Sequence, residues 1–122
     1  MSSPDFQHLR LSMVKDVAVV EIRTRNLQGP TLAQELSAEL GLVTSQEWAR
    51  RLLVNFRRVT YVSSTGFAAL FKLVSRARAD GREVKLCGME NGVRLGAEIV
   101  GLEKLVEIYD DEATALRTFA RV

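Results

Sequence analysis

Two short stretches restrict the possible folds more than anything else in this chain. VAVVEI, Val17 to Ile22, and LLVNF, Leu52 to Phe56, are runs of branched and apolar residues. Such runs fit strands covered on both faces, as in a parallel sheet with helices packed on it. Helical patterns follow them. TLAQELSAEL carries Leu32, Leu36 and Leu40 at helical spacing, and Phe67, Leu70, Phe71 and Val74 follow the i, i+3, i+4, i+7 rule before Asp80-Gly81 supplies a stop. Strands alternating with helices over short connections predict right-handed crossovers and an α/β layered domain.

The other elements fall into place around that frame. Alternation in FQHLRLSMV predicts a first edge strand, with Lys15-Asp16 turning the chain into an antiparallel neighbour. Thr31 with Gln34 three residues on, just after Pro30, has the pattern of a capping box. EVKLCGM reads as a strand, Asn91 to Val100 as a short helix, and LVEIY as a last strand. DEATALRTFA reads as a final helix with acid in its first turn. The sum is a mixed sheet of about five strands with about four helices. At 122 residues and 47% hydrophobic, the chain suits one core and hence a single domain over residues 1–122.

Several function classes lose support. No glycine-rich phosphate loop is present, since neither GREVKLCG nor GLEKLVEIYDDEATAL has the required spacing. His8 is the single histidine, which removes a histidine zinc site and leaves Ser63, Ser64 and Thr65 without an evident base. Asp110-Asp111-Glu112 reads as a helix start. Cys87 reads as a small buried hydrophobe in a reducing compartment. MSSPDFQHLR lacks the features of a secretory leader, and no apolar run reaches the roughly 18 residues a membrane span needs. The expectation is therefore a cytoplasmic, non-enzymatic protein without cofactor or metal.

Charge is unevenly spread. Nine Lys/Arg between Arg50 and Lys85 face only Asp80 and Glu83, giving that window +7 and leaving −5 for the rest of a chain whose total is +2. The window surrounds the hydroxyl cluster and is a candidate partner surface. Nucleic acid is not the expected partner, because Phe56, Phe67 and Phe71 fall on core-facing positions and leave no stacking platform. Trp48 and Tyr61 read as half-buried packing groups.

The loop YVSSTGF sets three hydroxyls before a helix. Ser64 is the natural N-cap for a helix starting at Thr65 or Gly66, worth about 1 kcal/mol. Capping leaves Gly66 unexplained, since glycine is up to about 1 kcal/mol worse than alanine in a helix. Close approach by another molecule is one reason to omit that side chain. The turn from a strand's C-terminal end into a helix is also where α/β folds usually meet ligands and partners. One hydroxyl would cap, and another would be a chemical handle.

These residues carry a family pattern. VTYVSSTG, GLEKLVEIY and DEATAL occur in order and at separations that resemble the STAS domain, in particular bacterial anti-sigma factor antagonists, over about residues 6–120. The resemblance implies a small cytoplasmic protein that binds an anti-sigma factor, often itself a serine/threonine kinase, and so frees a sigma factor. That kinase would phosphorylate the last hydroxyl of the loop and block binding, and a phosphatase would reverse it. Alignment on Gly66 puts the acceptor at Thr65, with Ser64 as second choice. The partner surface is then expected to comprise Ser63, Ser64, Thr65, Gly66, Phe67, Arg57 and Arg58.

Two positions depart from the pattern. Ser63 stands where the family carries aspartate, and Asn55 where an acid is common at the strand end. Both changes remove negative charge while Arg57 and Arg58 add positive charge. Two outcomes follow: a switch whose partner supplies compensating acid, or a STAS module that is never phosphorylated and serves as a stressosome-type scaffold or transporter accessory subunit.

Overall fold

The computed structural model describes residues 6–119. The elements run β1 Leu9–Val14, β2 Val17–Ile22, β3 Asn26–Leu27, α1 Pro30–Thr44, β4 Arg51–Asn55, β5 Tyr61–Val62, α2 Ser64–Ala79, β6 Glu83–Cys87, α3 Asn91–Val100, β7 Glu107–Tyr109 and α4 Glu112–Arg117. Two 3₁₀ turns, Glu47–Ala49 and Leu102–Lys104, lead into β4 and β7. The first five residues and the expected last residue of the final helix, Ala120, lie outside the described residues; α4 itself ends at Arg117.

A five-stranded mixed sheet runs in the order β1-β2-β4-β6-β7. Only β1 is antiparallel, turning into β2 through Lys15 at φ 55°. β2, β4, β6 and β7 are parallel, with Val20 beside Val54 and Val54 beside Leu86. Helices α1, α2 and α3 cover one face, burying Leu36, Leu40, Leu70, Val74, Val93 and Ala97 against Val20, Leu52, Val54 and Leu86. The short α4 covers the other face, where Ala115 and Phe119 join Val17, Val19, Leu53 and Cys87. β2 is buried on both faces, as its composition requires; only Glu21 is half-buried.

The structure departs from the sequence reading in four local respects. The start of α1 has no capping box: Gly29, at φ 89°, is the N-cap, Pro30 takes the first turn, and Thr31 is already helical. A second, two-stranded parallel sheet pairs β3 with β5, setting Asn26 beside Tyr61 and Leu27 beside Val62. Trp48 and Tyr61 are exposed, at 41% and 51%, rather than half-buried. Finally, the basic window is not one surface. Arg51 pairs with Asp16 and Glu83, Arg78 reaches the Leu105 carbonyl, and Arg82 reaches the Gln46 carbonyl. Lys85 is buried beneath the Phe119 ring, bonded to Thr118 and ion-paired with Glu83 and Glu107. Residues spread along strands and helices share sequence distance but point to different sides.

Candidate functional site

The connection from β4 to α2 crosses the end of the sheet where the parallel strands finish. Its course is fixed by β3. Thr60 N–H donates to the Arg25 carbonyl at 2.8 Å, and Ser63 N–H donates to the Leu27 carbonyl at 2.8 Å. Ser63 then caps α2. Its Oγ accepts the Gly66 N–H at 3.2 Å and donates to the same Leu27 carbonyl at 3.2 Å. The cap is thus Ser63 and not Ser64, one residue earlier than the sequence reading put it. Ser64 and Thr65 form the first turn of the helix, both exposed, and neither side chain hydrogen-bonds to the protein among the described residues.

Gly66 has an internal explanation. A Cβ there would lie 2.5 Å from the Leu27 carbonyl oxygen and 2.9 Å from Cγ1 of Val62. The glycine admits the β3 backbone, not a visiting molecule. Gly66 and Phe67 are both buried, which removes them from the expected partner surface. The Phe67 ring packs against Gly96, where a Cβ would meet it at 3.1 Å. Helix α3, fixed there, leaves Leu95 and Ile99 exposed at 55% and 76%. The sequence reading missed that apolar surface, although an amphipathic pattern with two large residues on its outer side was legible in VRLGAEIV.

Arg57 and Arg58, by contrast, are exposed and share one acid. Arg57 Nε donates to Glu21 Oε2 at 2.7 Å and Arg58 Nε to Glu21 Oε1 at 3.3 Å. Asn55 is buried; its Oδ1 accepts the Arg57 N–H at 2.9 Å and its Nδ2 donates to Glu112 Oε1 at 3.0 Å. It therefore ties the strand end to α4 through a donor that an aspartate would lack. Asp111, expected as a helix start, caps α4 by accepting the Thr114 N–H at 2.7 Å, and that bond holds its carboxyl below the usual range.

Other chemistry-bearing residues stand apart. His8 lies buried just before β1, between Thr24 Oγ1 at 2.6 Å and Glu35 Oε1 at 3.1 Å, and makes no hydrogen bond to the hydroxyl loop among the described residues. Burial, and then Glu112 and Asp111, push the Cys87 thiol up to about 12. Among the described residues no three His, Cys, Asp or Glu side chains gather as a metal set, and no helix is long and apolar enough to cross a membrane.

Comparison with known proteins agrees with this architecture. An anti-sigma factor antagonist from Mycobacterium paratuberculosis is 19% identical, superposes with a TM-score of 0.80, and aligns over 96% of this chain and 97% of its own. The Bacillus cell-fate determinant SpoIIAA in its phosphorylated form is 16% identical, with a TM-score of 0.66 over 91% of this chain and 99% of its own. A sulfate transporter family protein from Wolinella succinogenes is 18% identical, with a TM-score of 0.71 over 87% and 86%. At these identities the likeness is one of fold. The family model of the STAS domain matches residues 14–115, from the β1–β2 hairpin into α4, and the chain belongs to the STAS domain family.

Proposed function

We propose that this STAS domain is an anti-sigma factor antagonist acting in the cytoplasm, switched off by phosphorylation of Thr65. One observation carries the reading: capping and loop anchoring are done by Ser63, while Thr65 is exposed and unengaged on the first turn of a long helix. A phosphate there adds about −1.5 to −2 charges at a helix N-terminus, whose free N–H groups and dipole accept it. The fold survives the modification. A partner seated over the loop and the neighbouring Leu95 and Ile99 does not tolerate it, since it would have to desolvate the dianion. A loss of about 3 kcal/mol is more than a hundredfold in affinity. SpoIIAA, known in a phosphorylated and an unphosphorylated form, supports the reading by its fold.

The expected partner is an anti-sigma factor that is itself a serine/threonine kinase, with a phosphatase to reset the switch. Ser64, exposed one residue earlier, is the second candidate acceptor. The protein has a binding role here and no catalytic one. In a pull-down with the anti-sigma partner, Thr65→Asp loses binding and Thr65→Ala keeps it. Equal binding by the two variants removes the switch.

A second reading, a STAS module that scaffolds or accompanies a transporter without being phosphorylated, draws on Ser63 and Asn55, both neutral where the family carries acid, and on the likeness to the sulfate transporter family protein. Stable co-purification with a large assembly, with no phosphate on the loop, distinguishes it.

A further inference from the structure

We propose that the arginines grouped around Glu21 form a docking site for a carboxylate-rich segment of the protein partner. This deepens the reading above by naming what that partner presents beside the Thr65 loop. Arg10 and Glu21 are cross-strand neighbours on β1 and β2, and Arg23 lies two residues beyond Glu21. Arg10, Glu21, Arg23 and Arg58 line one concavity of about 290 Å³, with Arg57 on the other side of the same carboxylate. Arg10, Arg23 and Arg58 thus share their concavity with Glu21 alone, a net +2, while the concavity on the Arg57 side is also lined by Asp110, Asp111 and Glu112.

The hydrogen bonding leaves this charge available. Each oxygen of Glu21 takes one Nε, from Arg57 and from Arg58, and the Glu21 side chain is only 13% exposed. The Nε edges are therefore spent while the paired Nη groups make no hydrogen bond among the described residues. An Nη pair is the end-on fork that a second carboxylate accepts in bidentate fashion. Glu21 holds both forks in place, which reduces the side-chain entropy lost when a partner binds. Arg10 and Arg23 have no carboxylate within ion-pair distance among the described residues, and both are exposed.

The position favours a protein over a nucleic acid. Arg58 opens the same connection that ends in Thr65, seven residues later. Seven residues reach at most about 25 Å. A standard interface of about 800 Å² per partner is roughly that wide, so one partner can cover both features. β1 and β2 carry no aromatic, and the connection from Arg58 to Thr65 offers the single exposed ring of Tyr61, where single-strand binding uses several rings for successive bases.

The test is a titration of the full chain with a decaglutamate peptide at low ionic strength, followed through backbone amide shifts. The amides of Arg10, Arg23, Arg57 and Arg58 move, and R10Q/R23Q weakens binding on the order of tenfold. The same spectrum reports that the variant is folded, and K72Q/R76Q on α2 binds as the wild type does. Unmoved cluster amides overturn the proposal. So does a decathymidylate that binds the same amides more tightly than the peptide, which assigns the cluster to nucleic acid. With the anti-sigma partner in hand, R10Q/R23Q weakens the complex while its remaining binding stays sensitive to Thr65→Asp. If no anti-sigma factor binds at all, the switch reading fails, and the peptide titration still decides the cluster.

Discussion

Gly66 and Leu27 meet backbone to backbone, so closely that a β-carbon on the glycine would stand 2.5 Å from the leucine carbonyl oxygen. That contact joins the first turn of α2 to β3 and fixes the height at which Ser64 and Thr65 leave the surface. Replacing Gly66 by alanine therefore destabilises the fold, although alanine is the better helix former. Overpacking against backbone outweighs the gain of roughly 1 kcal/mol in propensity, for a net loss of about 2 kcal/mol. A urea unfolding midpoint unchanged or raised in G66A contradicts the packing described.

Ser63 and Ser64 separate in the same measurement. Ser63→Ala removes the acceptor for the Gly66 N–H and the hydroxyl donor to Leu27, at a cost of about 1–2 kcal/mol. Ser64→Ala stays within about 0.5 kcal/mol of wild type, since its hydroxyl is exposed and unbonded. The reverse order returns the cap to Ser64.

Asn55 answers a family departure. In Asn55→Asp the Nδ2 donor is lost and a carboxylate faces Glu112 across 3.0 Å. The variant loses on the order of 2 kcal/mol at neutral pH by denaturant unfolding, because an unpaired buried charge replaces a satisfied amide. Unaltered stability would show that the amide bond to α4 has no structural weight.

The Cys87 thiol, fully buried and raised to about 12, is inert in the folded protein. Ellman's reagent at pH 8 leaves it unmodified until denaturant is added. Prompt reaction of the native chain contradicts its burial behind α4.

Acid loosens the β7–α4 end. A hydrogen bond from Tyr109, then Lys85, lowers Glu107, and the Thr114 N–H lowers Asp111. Carboxyls lowered in the folded state stabilise it above their ordinary values and lose that contribution as pH falls through the lowered ones. Stability therefore declines from about pH 4 downward, and Asp111→Asn, which caps without ionising, flattens that decline. An unchanged pH profile in D111N contradicts the role given to Asp111.

The larger elements could be read from the chain because their signals are periodic. Val17–Ile22 and Asn91–Val100 fall where a continuous apolar run and a helical pattern put them. β3 and β5 were not legible: two residues each have no period, and their pairing depends on where β2 and β4 deliver the chain. That omission explains the errors at the site. Without β3, Gly66 had no internal neighbour, Ser63 had no carbonyl to bond, and the cap fell on the wrong serine. Glu21 was likewise invisible as the acid shared by Arg57 and Arg58, since 36 residues separate it from the first of them.

The proposed switch requires that Thr65 offer a hydroxyl the cell can modify without disturbing the scaffold. Peptide mass spectrometry of the chain purified from its own cells reads this directly. A fraction carrying one phosphate on Thr65 is expected, with the backbone amide spectrum of that fraction changed only around the start of α2. A chain that carries no phosphate on the loop under any growth condition, or one whose fold collapses when Thr65 is phosphorylated in vitro, contradicts it.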